Sequence, residues 1–476
     1  MKDKTKLAIT AAAIIAFLLV FPLFNACSSD KPDDGDFYSV VATYDGAKKV
    51  EFTEKVRLYN RTEGALKRIY LRLYPQSYRS DAAVKAEGEI RAYGGIEVKA
   101  TDFSSPAEFE IEGEDEDLLA VIPPDAVLPG ESFSFTVTGT VTLPECDNRL
   151  GVTSRGNANL FDAFPVLCGN GDTSAANAYG NPFTLGCADY DLTISVPENY
   201  AVISGGEKIS SSVSDKTKTV SFKAKNVRSL GLCILKADSV MTAKAGKTTV
   251  SCAFSSQSTA KKTLDSAIAA VATFSRLFGD YPFESFCVSG TPGSEPYIGS
   301  GVCLVGEDAS ESLLLDQVIF GAARQWWGES VGFDLNRDAF MSEALGEYSA
   351  TLFYEKNKDY NVAAADRIKD ANTAYSLFVT SLNPSGVKMS RKPSLFPNKT
   401  EYLMCTRVKG ELWLHSLRKI IGDDAFFGTL KDFYRECSYK IVTSDHFIAA
   451  TEEASGRKCE SYCDGWINGE DKTGVL

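Results

Sequence analysis

The sequence is poor in histidine and has no surplus of positive charge, and both deficits exclude classes of function. Its 476 residues contain 50 Lys and Arg against 63 Asp and Glu, a formal net charge of -13. Proteins that bind nucleic acid neutralise phosphates with clustered basic side chains, so we expect no nucleic-acid partner. Only two histidines are present, His415 and His446. Few groups are therefore available for imidazole-based metal binding or acid–base chemistry.

No Cys-x-x-Cys pair occurs, although the sequence contains 12 cysteines. The cysteines are scattered singly, mostly in apolar runs, where a free thiol packs as a small hydrophobic group. Only Cys459 and Cys463 are one helical turn apart and could meet. We therefore expect mainly buried thiols, with several disulfides as the alternative.

The N-terminus has the pattern of an export segment. Three lysines precede an uncharged apolar run from Leu7 to Phe24, which is typical of a secretory signal. Ala26 and Cys27 follow, resembling the site where bacterial lipoprotein signals are cleaved and the cysteine is acylated. Alternatively, the run is just long enough to remain as a transmembrane anchor. Both interpretations predict an extracytoplasmic, membrane-anchored protein, with residues 1–26 as signal or anchor and 27–36 as a flexible linker.

The remaining chain divides into a β half and a helical half. Segments such as 69–73, 133–137 and 190–196 alternate apolar and polar residues, which predicts half-buried strands and an antiparallel β domain over 37–240. From residue 264 the apolar period becomes helical, and Gly279 closes the first helix. Further helices are predicted at 310–327, 342–356, 362–382, 409–421, 425–437 and 445–454, the last with Ser444 as N-cap. The fold class is α+β, and a cleft is expected where the domain 241–476 meets the β domain.

Two segments of the helical half carry a resemblance to a known family. Residues 318–328 end in Arg-Gln-Trp-Trp-Gly and resemble the zinc helix of gluzincin aminopeptidases of the membrane alanyl type, where HExxH precedes Gln-Trp and Gly. Residues 340–349 resemble the second zinc helix, which supplies a Glu ligand. Shorter stretches at 71–78, 278–282, 409–427 and 447–469 also resemble the family and occur in its order along the chain. The resemblance implies an N-terminal β saddle domain followed by a thermolysin-like, mostly helical catalytic-type domain.

The residues at the corresponding positions do not suit zinc chemistry. A hydrolytic zinc site needs imidazole or carboxylate ligands and a carboxylate base. The resemblance places Phe320 and Arg324 at the two histidine positions and Gly321 at the base, and none of these can coordinate zinc or accept a proton. Only Glu343 remains of the three ligands. We therefore expect no catalytic residue, no metal and no cofactor, the ancestral zinc site being lost.

Other cleft positions are altered as well. By the same resemblance, Ile298 occupies the place of the Glu that grips the substrate's free amine, and Arg407 the place of the Tyr that stabilises the oxyanion. Gln325 and Glu347 are further cleft candidates. Two interpretations of the vestigial site remain open. In the first, Arg324 forms a bidentate pair with Glu343 in place of the metal, and Glu347 is a second acceptor. In the second, Arg324 is solvated.

Three functions are compatible with the sequence. The first is a membrane-tethered, catalytically inactive protein that keeps the aminopeptidase fold to bind a peptide or protein. The second is an active metallopeptidase with an atypical metal site. The third is a structural partner of an active paralogue. Metal content distinguishes the first two, and co-purification with a partner identifies the third.

Overall fold

The computed structural model describes residues 35–82, 88–100, 107–236, 239–293, 296–382, 384 and 386–469. The export segment, Cys27 and nearly all of the linker lie outside these residues. From Asp36 onward the chain forms one compact unit. Within the described ranges, no helix has the length and apolar character needed to cross a bilayer.

Short and long strands make up the first half of this unit. The long strands alternate buried and accessible side chains, most regularly in β11, which confirms the strands predicted from alternation. Their bounds are β1 (Asp36–Tyr44), β2 (Lys49–Tyr59), β3 (Ile69–Arg72), β4 (Gly95–Ala100), β5 (Glu108–Glu112), β6 (Leu118–Ile122), β7 (Ser132–Thr142), β8 (Leu150–Val152), β9 (Ala158–Leu160), β10 (Val166–Leu167), β11 (Ala188–Pro197), β12 (Tyr200–Ser204), β13 (Glu207–Ser214), β14 (Thr217–Val227) and β15 (Leu232–Lys236).

These strands form three sheets. The largest has seven strands in the order β13-β14-β11-β1-β2-β7-β4, and two four-stranded sheets have the orders β10-β3-β6-β5 and β12-β15-β9-β8. Pairing is antiparallel except between β1 and β11, which run parallel. The long connection between β1 and β11 permits this one parallel pair, because parallel neighbours need an extended crossover. The β half thus has the antiparallel character that alternation predicts.

The second half is mainly helical and packs on a five-stranded sheet. That sheet has the order β16-β17-β18-β20-β19, with β17, β18 and β20 parallel. Its strands, and two short ones that pair with each other, are β16 (Ser239–Ala245), β17 (Thr248–Phe254), β18 (Ser285–Thr291), β19 (Tyr297–Gly299), β20 (Val302–Gly306), β21 (Gly332–Phe333) and β22 (Ile441–Val442). This order confirms the α+β fold class.

The described part of the chain contains nine α-helices, of which seven follow the predicted periods. They are α1 (Gln257–Phe278), α2 (Glu311–Trp326), α3 (Ala339–Lys356), α4 (Ala364–Ser381), α5 (Lys399–Leu403), α6 (Lys409–Ile421), α7 (Asp423–Cys437), α8 (Ser444–Ser455) and α9 (Glu460–Ile467). The other two, α5 and α9, were not among the predicted helices. A π-helical segment, Met404–Val408, joins α5 directly to α6. Gly279 ends α1 with φ 131°, as predicted.

The predicted N-cap of α8 is wrong by one residue. Thr443 caps the helix. The ring of His446 accepts a hydrogen bond from the Thr443 backbone N–H, which completes a capping box. Ser444 instead donates to Asp338 Oδ1 at 2.6 Å, which docks α8 onto the start of α3. The tertiary contact decides which of two adjacent hydroxyls serves as the cap.

The cysteines from Cys146 onward are all free thiols, which confirms the preferred prediction. Most are buried in the sheets and helices, including Cys459 and Cys463, while Cys168 and Cys187 are half-buried. The thiols contribute to the core as small apolar groups.

Candidate functional site

Helices α2 and α3 bring Arg324 and Glu343 into direct contact. Arg324 Nη1 donates to Glu343 Oε1 at 2.7 Å, and both residues are almost fully buried, at 2% and 3% exposure. The predicted ion pair is therefore present, and the alternative of a solvated Arg324 is wrong. The Arg324 guanidinium also donates from Nε to the Trp327 carbonyl at 2.9 Å, which fixes its orientation at the end of α2.

The pair is not bidentate, because a second arginine takes the other oxygen. Arg407, in the π-helical segment, donates to Glu343 Oε2 from Nε at 3.1 Å and from Nη2 at 2.8 Å. The sequence placed Arg407 in the cleft without assigning it to Glu343. Each oxygen of the Glu343 carboxylate thus accepts from a different guanidinium. The three side chains link α2, α3 and the π-helical segment before α6.

Opposing effects set the protonation of Glu343. Burial alone would raise the pKa of this carboxyl, but Arg407 and Arg324 together hold the pKa below its ordinary value. The carboxylate is therefore ionised at neutral pH. Two permanent guanidinium charges and one carboxylate leave the same local charge as a divalent cation bound to one carboxylate.

Phe320 provides the apolar floor beneath the two arginines. The Arg407 guanidinium lies 4.1 Å from the ring centroid, and that of Arg324 lies 5.6 Å away. Both distances are within cation–π range. A phenylalanine at this position therefore fits an arginine pair and offers nothing to a metal ion.

Two glycines leave the room that this arrangement occupies, and a third packs against β20. A Cβ on Gly346 would lie 2.8 Å from Arg324 Cδ and from Phe320 Cε2, and one on Gly328 would lie 3.0 Å from Arg324 Nε and Nη2. A Cβ on Gly321 would overlap Sγ of Cys303 and lie 3.2 Å from its Cβ. A side chain at the position that the resemblance assigns to the catalytic base would therefore require Cys303 or the helix to move.

Gln325 is fully buried and joins α2 to the turn between β19 and β20. Its Oε1 accepts from Gly301 N at 2.7 Å, and its Nε2 donates to the carbonyls of Gly299 and Gly321 at 3.3 and 3.2 Å. The side chain satisfies backbone groups of the sheet edge. Its contacts are those of a residue that positions α2.

Glu347 belongs to a neighbouring acidic cluster and does not accept from Arg324. Arg367 Nη2 donates to Glu347 Oε1 at 2.8 Å, and Arg407 Nε lies 3.9 Å from Glu347 Oε2. Burial, and then the charge of Glu347, raise the pKa of nearby Glu411 to about 8. Glu411 is therefore protonated at neutral pH.

The Arg324–Glu343–Arg407 triad lies at the base of a cleft. The cleft encloses about 490 Å³, including the part open to solvent. Ile298 lines it and is 5% exposed, while Gln325 and Glu347 are not among the lining residues. Its lining comprises Arg149, Tyr179, Gly180, Asn181, Pro296, Tyr297, Ile298, Phe320, Arg324, Glu343, Lys399, Tyr402, Leu403 and Arg407.

The donor set here does not fit zinc. Both Glu343 oxygens are bonded to arginines, and the neighbouring side chains on α2 supply no lone pair. His415 contacts Tyr348 at 3.3 Å and His446 caps α8, so neither histidine lies in the cleft. Across the described ranges, no cluster of three or more His, Cys, Asp or Glu side chains has the arrangement of a metal site.

Solved structures of M1 zinc metallopeptidases share this fold. No protein-family model matches the chain, and a search of curated sequences finds no match. The M1 zinc metallopeptidase from Deinococcus radiodurans has a TM-score of 0.66 at 16% identity, covering 93% of this chain and 94% of that chain. A Glu-to-Ala mutant from the same organism, bound to a Tyr-Ser-Ala substrate, has a TM-score of 0.64 at 16% identity, covering 92% and 94%.

A two-domain M1 zinc metallopeptidase mutant bound to L-arginine is similar to the same degree. Its TM-score is 0.66 at 16% identity, covering 93% of this chain and 95% of that chain. The structural similarity establishes the fold. Because the sequence identity is this low, activity has to be argued from the site.

Proposed function

We propose that this chain is a pseudoenzyme of M1 metallopeptidase fold that binds a peptide or protein ligand without cleaving it. One observation carries the proposal: Glu343, the only residue matching a zinc ligand, is held by two arginines. A carboxylate bonded in this way has no free oxygen for a metal ion. Hydrolysis would also require an activated water and a general base. The base position holds Gly321, where an added Cβ would overlap Sγ of Cys303.

The retained cleft supports binding as the remaining role. The chain has a fold similar to that of M1 zinc metallopeptidases, and aromatic and basic side chains line the space between the β half and the helical half. Clefts lined by aromatic groups with a few placed charges are typical of ligand sites. The membrane tether, through a lipid on Cys27 or through residues 7–24, belongs to the same proposal and rests on the sequence.

Metal content and turnover test the proposal directly. We expect the purified full-length protein to contain no stoichiometric zinc by elemental analysis and to hydrolyse no amino-acid arylamide. The physical reason is the donor set, which lacks both imidazoles and the base. One equivalent of zinc, with turnover that a chelator abolishes, would establish the atypical metallopeptidase instead. Co-purification with an active peptidase in fixed stoichiometry would support the structural-partner function.

A further inference from the structure

We infer that the cleft above the triad is selective for a carboxylate and disfavours a ligand's free amine. This inference rests on the proposed ligand-binding function and names its ligand chemistry. The charges of the lining residues are its first support. Arg149, Arg324, Lys399 and Arg407 line the cleft, and Glu343 is the one acidic side chain among the described lining residues. A basic cleft with low-dielectric walls attracts anions.

Two of these arginines have donor capacity that the protein does not use. Among the described residues, neither Arg149 Nε nor Arg324 Nη2 has a hydrogen-bond acceptor, and both arginines line the cleft with at most 4% exposure. Arg149 is balanced by Asp162, with Nη2 and Oδ2 3.2 Å apart. Both N–H groups are inaccessible to a ligand. Because buried guanidinium N–H groups usually have acceptors, the positive charge of these arginines is incompletely compensated, which would stabilise an anion in the cleft.

Arg407 is the arginine best placed to meet a ligand first. Its side chain is 21% exposed, compared with 3% for Arg324. Bonds to Glu343 and the ring of Phe320 hold its guanidinium in one orientation. A donor fixed in advance loses little conformational entropy when a carboxylate binds.

None of the described lining residues favours the binding of an ammonium group. Ile298 presents an apolar side chain where the resemblance places an amine-binding carboxylate, and Glu343 is already bonded to two cations. An amine entering the cleft would face cations without a free carboxylate. The carboxylate of a polypeptide ligand would come from an Asp or Glu side chain, or from a C-terminus.

Three tetrapeptides that differ in their charged groups would test this selectivity on the full-length protein by isothermal titration. Acetyl-Ala-Glu-Glu-Ala-amide carries side-chain carboxylates, acetyl-Ala-Ala-Ala-Ala carries a C-terminal carboxylate, and Lys-Ala-Ala-Ala-amide carries only amines. We expect at least one anionic peptide to bind about tenfold or more tightly than the cationic one, with affinity falling as salt rises. Comparison of the two anionic peptides identifies the source of the carboxylate.

Two variants and a matched control assign the effect to the cleft. Arg407→Gln and Lys399→Gln should each weaken anionic binding by about fivefold or more, whereas Lys225→Gln, an exposed lysine on β14 outside the cleft, should not. A thermal melt of each variant excludes misfolding, and Lys399→Gln leaves the triad itself unchanged.

Tighter binding of the cationic peptide would overturn the inference and leave peptide binding intact. Anionic binding that neither cleft variant changes would also overturn it. Absence of binding by all three peptides would overturn the inference without restoring catalysis. Stoichiometric zinc with turnover would instead overturn the proposed function.

Discussion

Glu343 shows how a buried carboxylate persists where no metal ligand set accompanies it. Removing a charge from water costs several kcal/mol unless partners replace the lost hydration. Here one hydrogen bond from Arg324 and two from Arg407 reach its oxygens. The glycines at 328 and 346 leave the volume that the Arg324 side chain fills. Charge and packing are thus satisfied by the same three side chains.

The triad predicts a specific pattern of stability changes. Arg324→Met should destabilise by about 3 kcal/mol, the low end for breaking a buried pair, because Arg407 still bonds Glu343. Glu343→Gln should cost at least as much, because it removes the carboxylate between two guanidiniums. The double variant should recover part of the loss, because contacting partners show non-additive effects. Urea denaturation measures all three.

Arg435→Met provides the control for this series. Arg435 is 65% exposed on α7, and its ion pairs with described residues are to Asp432 and Glu436 of its own helix. Its substitution should change stability by no more than about 0.5 kcal/mol. If Arg324→Met and Glu343→Gln were equally neutral, the triad would have no stabilising role.

Glu54 is a second buried carboxyl, with the opposite electrostatics. It is fully buried on β2, and neither of its oxygens has a hydrogen-bond partner among the residues that the structure describes. Burial raises its pKa well above the ordinary value. The folded protein therefore keeps this carboxyl protonated over a pH range in which the unfolded chain has lost the proton. Stability must fall as pH rises through that range.

Replacing Glu54 with Gln should remove this pH dependence. Wild type is expected to lose up to about 1.4 kcal/mol per pH unit, relative to Glu54→Gln, once the pH exceeds the ordinary carboxyl pKa. The variant should therefore be clearly more stable at pH 8 and similar to wild type near pH 4. Urea denaturation at both values measures the difference. Glu51→Gln, at an exposed position of the same strand, should leave the wild-type slope unchanged; parallel slopes for wild type and Glu54→Gln would contradict the assignment.

A side-chain contact could be predicted from the sequence only where both contacting residues were already candidate site residues. The Arg324–Glu343 contact followed from two neighbouring helices and the need to balance a buried charge. The role of Arg407 did not, because its contact with Glu343 spans 64 residues and depends on how α6 docks. The contacts of Gln325 could not be predicted for the same reason, since its partners are backbone groups, among them the Gly301 N–H in the turn between β19 and β20.

At the scale of elements, α2 packs on β20 with no space between them. Position 321 looked like the loss of a catalytic base, and the structure adds that Sγ of Cys303 fills the volume beside it. Helix bounds followed from apolar periodicity, within three residues for α2, α3, α4, α6, α7 and α8. The π-helical segment could not be predicted, because one extra residue per turn leaves no distinct sequence pattern.

Close packing of α2 on β20 predicts that even a methyl group at position 321 is harmful. Gly321→Ala should destabilise by about 1 to 3 kcal/mol, because overpacking forces the helix or Cys303 to move. Shortening the opposing side chain with Cys303→Ala should make Gly321→Ala less costly. Thermal or urea unfolding of the two single variants and the double variant measures the coupling.

Gly428 is a matched control for that experiment. It lies within α7, and a Cβ there would meet no atom within 4 Å. Gly428→Ala should therefore be neutral or stabilising by up to about 1 kcal/mol, since alanine favours the helix. A Gly321→Ala variant that behaves like Gly428→Ala would show that α2 and β20 are not in close contact.

At the scale of the molecule, the order of β and helical halves was predictable because strand and helix periods differ along the chain. The parallel pairing of β1 with β11 was not, because alternation defines a strand without its partner. The shared fold at 16% identity shows that the architecture tolerates replacement of most side chains. The function that we propose therefore depends on a few cleft residues rather than on the architecture.

The last prediction concerns where the whole molecule resides. Wild type should fractionate with membranes and, as a lipoprotein, incorporate a labelled fatty acid at Cys27. Cys27→Ser should then abolish both labelling and signal cleavage, because the thiol is the acylated group. If residues 7–24 instead remain as an anchor, wild type should be unlabelled and Cys27→Ser should stay in the membrane unchanged. Cys168→Ser, at a half-buried thiol of the folded unit, should not alter fractionation in either case. Wild-type protein found unlabelled in the medium would contradict both forms of tether, since each requires an apolar segment or an acyl chain in the bilayer.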